Sequence, residues 1–212
     1  MRNKKTQDMV LVSVFTAIIF ILAFIPGVGY IPLGAIRATI IHIPVIIGGI
    51  LLGPVYGAFL GGMFGLTSFL SNTFSPVLTS FVFTPFYSIG TSKGNLWSIV
   101  ICFVPRILIG VVSYYVFHFC QRLLKKHKNT SYLSYFISGV LGSLTNTILV
   151  MNLIYFCFGA EYSAVKEIGI ESLYYTIITV IAVNGIPEAI AAGVITTAVC
   201  AVLYRMVVQN RA

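Results

Sequence analysis

The chain has 212 residues, of which 58% are hydrophobic and only 8% charged. A soluble domain carries about 25% charged residues, and so small a charged fraction cannot cover a water-facing surface, which excludes a soluble globular enzyme. Disorder is excluded too, because disordered chains are poor in apolar residues and rich in charge. Lipid is the expected solvent for most of this sequence.

The formal net charge is +8. The basic residues sit in short runs at the ends of apolar segments and form no stripe with interleaved aromatics, so nucleic acid is not an expected partner. The four cysteines (Cys102, Cys120, Cys157 and Cys200) lie inside apolar stretches with no CxxC pair. They read as small buried apolar residues, not as metal ligands or a disulfide framework, and no cofactor is expected.

A membrane-spanning helix needs about 20 apolar residues. The first candidate covers 9–25 and stops at Pro26-Gly27. Lys4-Lys5 ahead of it imitates a secretory signal, but the multispanning chain behind favours a retained helix. A second candidate at 39–52 is broken by Gly53-Pro54 and followed by a third at 55–70. The second is short, which predicts a tilted or angled segment. The fourth, fifth and sixth cover 96–119, 133–158 and 173–208. The last is too long for one span and contains Asn184-Gly185-Ile186-Pro187, where a kink is expected. The expected fold is therefore an all-α polytopic membrane protein, one domain over 1–212 with six transmembrane helices.

Lys and Arg placement sets the expected orientation. Six spans bring Arg2, Lys4, Lys5, Arg122, Lys125, Lys126, Lys128, Arg205 and Arg211 to one side, against Glu161, Glu167, Glu171, Lys93 and Lys166 on the other. Both termini are expected in the cytoplasm of a cell membrane protein.

Small residues let membrane helices approach closely. Gly57, Gly61 and Gly65 align on the third span and predict internal packing in preference to a dimer face; Ser13 and Ala17 form a second such pair on the first. Polar residues in the hydrocarbon are costly unless paired or turned to a cavity. At a rise of ~1.5 Å per residue, Glu188 lies deep in the sixth span and Arg106 well inside the fourth. Arg37 and His42 start the second, Asn72 ends the third, Asn146 and Asn152 ride the fifth, and Asn184 is one turn outward of Glu188. These groups fall at mid-depth or in the outer half, as a cavity open to the outside requires. For single residues other roles stand open: an Arg106–Glu188 ion pair locking two helices, snorkelling for Arg37, a packing role for His42, interhelical hydrogen bonds for the amides, and interfacial anchoring for Tyr87 and Trp97.

Chemical engines are missing. The sequence holds no GxxxxGKS/T loop, no HExxH and no GxSxG elbow. Of five acidic residues, Asp8, Glu161, Glu167 and Glu171 are expected outside the core, which leaves Glu188 alone for a proton relay.

The stretch Ile40-Ile-His-Ile-Pro-Val-Ile-Ile-Gly-Gly-Ile-Leu-Leu-Gly-Pro-Val-Tyr-Gly57, with Gly61-Gly-Met-Phe-Gly-Leu-Thr-Ser68, resembles the substrate-binding S components of energy-coupling factor (ECF) vitamin transporters. So do Phe103-Val-Pro-Arg-Ile-Leu-Ile-Gly110, Gly142-Ser-Leu-Thr-Asn-Thr147 and Asn184-Gly-Ile-Pro-Glu-Ala189. The resemblance implies a six-helix protein, not itself an enzyme, that captures a vitamin-like small molecule from outside. It implies partners as well: a transmembrane coupling protein and two cytosolic ATPases. It also places docking at an Ala-xxx-Ala motif on the first helix, here Ser13 and Ala17. The His-Ile-Pro, Ser80–Pro85 and Pro105-Arg106 segments are most similar to the pantothenate-type branch, with cobalamin and folate next. Implied ligand contacts are drawn from Arg37, His42, Asn72, Tyr87, Arg106, Asn146, Asn152, Asn184 and Glu188, under loops at 26–38, 71–95 and 159–172. The rival classes are an autonomous carrier or channel and, more remotely, an intramembrane enzyme using Glu188 and His42.

Overall fold

A computed structural model describes residues 4–25, 29–33, 36–124 and 130–207. In chain order they form α1 (Lys4–Phe24), β1 (Tyr30–Leu33), β2 (Ile36–Thr39), α2 (Ile43–Leu52), α3 (Pro54–Phe74), β3 (Ser88–Ile89), β4 (Ser92–Lys93), α4 (Leu96–Leu123), α5 (Thr130–Lys166), α6 (Ile170–Val180) and α7 (Ile186–Val207). The stretches Lys4–Phe24, Leu96–Leu123, Ser131–Lys166 and Ile170–Tyr204 are long and apolar enough to cross a membrane. The protein is an all-α membrane protein decorated by two short antiparallel hairpins. The turn at Pro26-Gly27 and the basic run Lys125 to Lys128 lie outside the described residues.

The helix α2 sits at the centre. Every residue from Ile43 to Leu51 is buried, and α2 touches α1, α3, α4, α5 and α7. The helix starts later than the expected span over 39–52: residues 36–39 are strand, and the helix is ten residues long, ~15 Å. Longer helices enclose it. Gly53, with φ +103°, ends it and Pro54 starts α3; only glycine takes that backbone angle without strain.

Glycine removes the side chains that would hold these helices apart. A Cβ on Gly57 would lie 2.9 Å from the Gly110 carbonyl oxygen, and one on Gly61 would overlap the Arg106 carbonyl. Gly65 meets Phe103 and the Cys102 carbonyl, and the Cys102 thiol donates to the Gly65 carbonyl at 3.3 Å. The Gly57–Gly61–Gly65 row is thus an internal α3–α4 seam, with the two helices antiparallel. Gly139 faces Gly193 in the same way, joining α5 to α7.

Element ends differ from the sequence reading at several places. The helix α4 continues to Leu123, and α3 continues to Phe74. The expected loop at 159–172 is mostly helical: α5 runs on to Lys166, with a break in helical geometry at Phe158 (φ −137°, ψ 23°). The expected kink at Asn184–Pro187 is a π-helical turn, Ile181–Gly185, between α6 and α7. Asp8 is buried, 8% exposed, on the inward face of α1 with Val12 and Phe15, not outside the core. Antiparallel neighbours bring the start of α1 and the end of α7 to one end of the bundle; the hairpins roof the other.

Because the seam has no slack, Gly61→Ala should destabilise the detergent-solubilised protein by about 1–3 kcal/mol, the cost of overpacking. Gly62→Ala, which would meet nothing within 4 Å, should leave the thermal midpoint unchanged or raise it. Equal effects at both positions would refute the seam.

Candidate functional site

Since α2 occupies only part of the bundle's length, its N-terminus ends inside it, below the β1–β2 hairpin. His42 is the residue just before α2, 2% exposed, and its side chain caps nothing. Its Nε2 has no hydrogen-bond partner among the described residues. Buried polar atoms of native proteins are nearly always paired, so an orphan asks for a reason.

The neighbouring layer fixes what lies around His42. A Cβ on Gly142 of α5 would sit 3.0 Å from Ile46 Cγ1 and would overlap the Ser113 hydroxyl of α4. One turn outward along each helix come His42 on α2 and Asn146 on α5. The Asn146 Oδ1 is also buried and without a partner among the described residues. Beside it, Gly185 of the π-turn packs on Thr147, where a Cβ would come within 3.0 Å of Cγ2. Roughly one further turn outward is Arg106 on α4.

Arg106 is 6% exposed. Its Nη1 donates to the Ile101 carbonyl at 2.6 Å. Its guanidinium lies 5.0 Å from the Phe83 ring centroid and 5.7 Å from that of Phe64. Such aromatic faces stabilise a desolvated cation. Phe64 comes from α3 and Phe83 from the roof segment, the connection 75–87 between α3 and β3, so the cation is clasped between the bundle and its cover.

The roof is itself inserted. Phe81 and Val82 are fully buried, and Phe81 packs edge-on to Phe158 of α5 at 5.8 Å. Ser98 Oγ donates to the Phe81 carbonyl at 2.7 Å, while Asn95 caps the start of α4. Asn72 serves this anchoring: its Nδ2 donates to the Ser68 carbonyl, and its Oδ1 accepts from Ser80 Oγ at 2.7 Å.

The expected site residues therefore divide. His42 and Asn146 lie near the outer end of α2 and Arg106 roughly one turn further out on α4, while Asn184 is in the π-turn and Glu188 in the first turn of α7. Asn72 is engaged in holding the roof. Asn152 donates to the Ile148 carbonyl of its own helix at 2.7 Å. Tyr87 packs on the outer apolar cluster around Phe81 and Phe158. Arg37 lies on β2, and its side chain is outside the described residues. The Arg106–Glu188 pair held open above is not what the carboxylate does: Glu188 Oε1 accepts from the Thr39 backbone N–H at 2.7 Å. Phe64, Phe83 and the Thr39 amide were not legible beforehand. Two are ordinary apolar residues in the sequence, and the third is a backbone group with no side-chain signature.

Ser13 and Ala17 lie elsewhere. They are exposed on α1 and, with Met9, Phe20, Tyr56 and Phe59 among others, line a groove of about 510 Å³ between α1 and α3.

The family model for the substrate-specific component of ECF transporters matches residues 7–200. The chain belongs to this family. It is 35% identical to the pantothenic acid transporter PanT of Lactococcus lactis subsp. cremoris over 210 residues, 97% of each chain. It is 32% identical to the pantothenate transporter PanT of Leuconostoc mesenteroides subsp. mesenteroides over 212 residues, covering 96% of this chain and 95% of that one. Membership makes this S component a membrane transport protein of vitamin-transporter type. It also matches the resemblance read from the ordered motifs on α2, α3, α4, α5 and α7.

The engaged and orphaned amides of this S component should separate experimentally. Asn72→Ala leaves Ser80 without its acceptor and should cost about 1–3 kcal/mol of stability without ligand. Asn146→Ala removes an unpaired group and should change the unliganded thermal midpoint little. The reverse order would show that the assigned hydrogen bonds are wrong.

Proposed function

We propose that this S component captures pantothenate at the outer end of the bundle for an ATP-driven ECF importer. Both termini and the Gly53-Pro54 turn face the cytoplasm in this reading, and the six spans are α1 to α5 and the α6–α7 unit. What supports it is a set of buried polar groups toward the outer end of the bundle: the orphaned His42 Nε2 and Asn146 Oδ1 near the outer end of α2, and the buried cation Arg106 on α4, roughly one turn further out. The relatives' names supply the ligand.

Pantothenate offers a carboxylate, an amide and two hydroxyls. The carboxylate suits Arg106 through charge-assisted hydrogen bonds, and the positive end of the α2 dipole adds to the same preference. Asn146 Oδ1 accepts from a ligand N–H or hydroxyl, and His42 Nε2 meets a second polar group. Phe64 and Phe83 supply apolar walls. Asn184 borders the site from the π-turn, and Arg37 is assigned to its hairpin cover. Asn72, Tyr87 and Asn152 serve the roof and helix instead of the ligand.

The chain carries no nucleotide-binding motif, so ATP hydrolysis is assigned to two cytosolic ATPases, reached through a transmembrane coupling protein. The α1–α3 groove containing Ser13 and Ala17 is the proposed docking face, because small exposed residues admit another helix closely. Neither residue lies among the groups that meet the ligand, so capture and coupling occupy separate surfaces.

Purified S component should bind pantothenate saturably and alone, with cobalamin and folate as controls. Arg106→Ala should weaken binding by roughly tenfold to a hundredfold, the range for a hydrogen bond to a charged group. Unchanged affinity would remove Arg106 from the site. Ser13→Trp should bind pantothenate normally yet abolish uptake in cells that hold the ECF module. Uptake by the unmodified chain in cells lacking that module would instead mark an autonomous carrier.

A further inference from the structure

The mechanism above leaves Glu188 without a ligand to hold, and its hydrogen bond suggests a different task. Glu188 is the one acidic residue of the apolar Ile170–Tyr204 stretch apart from Glu171 at its start. Its Oε1 takes the Thr39 N–H across 149 positions of sequence, at 2.7 Å. Thr39 is the last residue of β2, where Tyr30 pairs with Thr39. The next residue, Ile40, donates its N–H to the Gly29 carbonyl at 3.1 Å. Alternate N–H groups of an antiparallel strand point to opposite edges. The Thr39 N–H is therefore turned away from β1, onto the free edge of the hairpin, where only a group outside the hairpin can satisfy it.

The π-turn aims the carboxylate at that edge. A π-turn accommodates one residue more than the α-helical ladder does, which rotates everything after it by about 100° at 3.6 residues per turn. Gly185, pressed on Thr147 of α5, allows the turn to seat. Pro187 has no N–H to lose from the helical ladder. Glu188 follows directly, and β2 contacts both the π-turn and α7.

We propose that Glu188 is a positioning residue: a latch that holds the β1–β2 hairpin closed over the site by accepting the Thr39 N–H. The latch governs how fast ligand leaves, and it touches no ligand atom. Its kinetic consequence rests on the capture of pantothenate proposed above; the latch itself does not. A negative carboxylate touching an anionic ligand would oppose binding, whereas one engaged with a backbone donor costs the ligand nothing.

Hydrogen exchange at the Thr39 amide, read without ligand, and pantothenate dissociation, read with it, test the proposal together. Glu188→Gln keeps an acceptor oxygen and should retain slow exchange at Thr39 and an affinity within about threefold of the unmodified protein. Glu188→Ala should expose the Thr39 amide to exchange and speed ligand release roughly tenfold or more, the loss of one hydrogen bond to a charged group. Thr39→Pro removes the donor from the other side. Proline is tolerated where a strand's N–H faces outward, so this variant should release ligand as fast as Glu188→Ala, and the double variant no faster. Slow Thr39 exchange in Glu188→Ala would overturn the latch. So would a loss of affinity in Glu188→Gln as large as in Glu188→Ala, which would make Glu188 a ligand group. Should the unmodified protein bind no pantothenate, the functional reading fails, while Thr39 exchange in the two Glu188 variants still decides the latch.

Discussion

A ten-residue helix enclosed on every side by longer ones imposes most of what is observed in this S component. Enclosure requires that Ile43–Leu51 carry no group needing water, and the sequence there is apolar throughout. It also requires the surrounding helices to come close, which only backbone-to-backbone contact at Gly49, Gly57, Gly61 and Gly110 permits. In a bilayer, hydrophobic burial supplies no drive for helix association, so this close packing is what joins the bundle. The same shortness places a helix N-terminus inside the protein. Polar groups can gather there without facing lipid.

The polar side chains sort according to whether the protein itself satisfies them. Asn72, Ser80 and Ser98 bond to one another or to backbone and tie the roof segment to α3 and α4. Thr145, Asn152 and Thr179 donate to carbonyls one turn back in their own helices. Near the outer end of α2 the pattern changes: His42 Nε2 and Asn146 Oδ1 are buried without partners among the described residues. Arg106 lies between the Phe64 and Phe83 rings, roughly one turn further out. Thr16, Ser143 and Thr196 also carry buried hydroxyls without partners among the described residues, but His42 and Asn146 fall in one layer, as a site kept ready for a polar guest would have them.

Capture and coupling make opposite demands on such a protein. A ligand needs a cover that closes behind it; a partner helix needs an exposed face that is already smooth. The β1–β2 hairpin is the cover in the proposed function, and its free edge is met by Glu188 from the first turn of α7. The exposed Ser13–Ala17 face of α1 suits the second. The two lie on different parts of the bundle, and α2 touches both α1 and α7.

Composition and motif order by themselves determined the solvent, the helical class, the family and the break near Pro187, because each depends on local composition or on residues adjacent in sequence. The glycine row at Gly57, Gly61 and Gly65 was legible as an internal seam for the same reason: its period is that of one helix. Only the tertiary structure decided that α2 is a buried stub and that Asn72 holds the roof while Asn146 Oδ1 has no partner among the described residues. It also decided that Phe64 and Phe83 clasp Arg106 and that Glu188 answers a backbone amide instead of a guanidinium. Each of these depends on which groups face each other across helices or hairpin edges far apart in sequence. A backbone N–H carries no residue-type signal at all, so the Thr39–Glu188 bond could be found only once the chain had folded around α2.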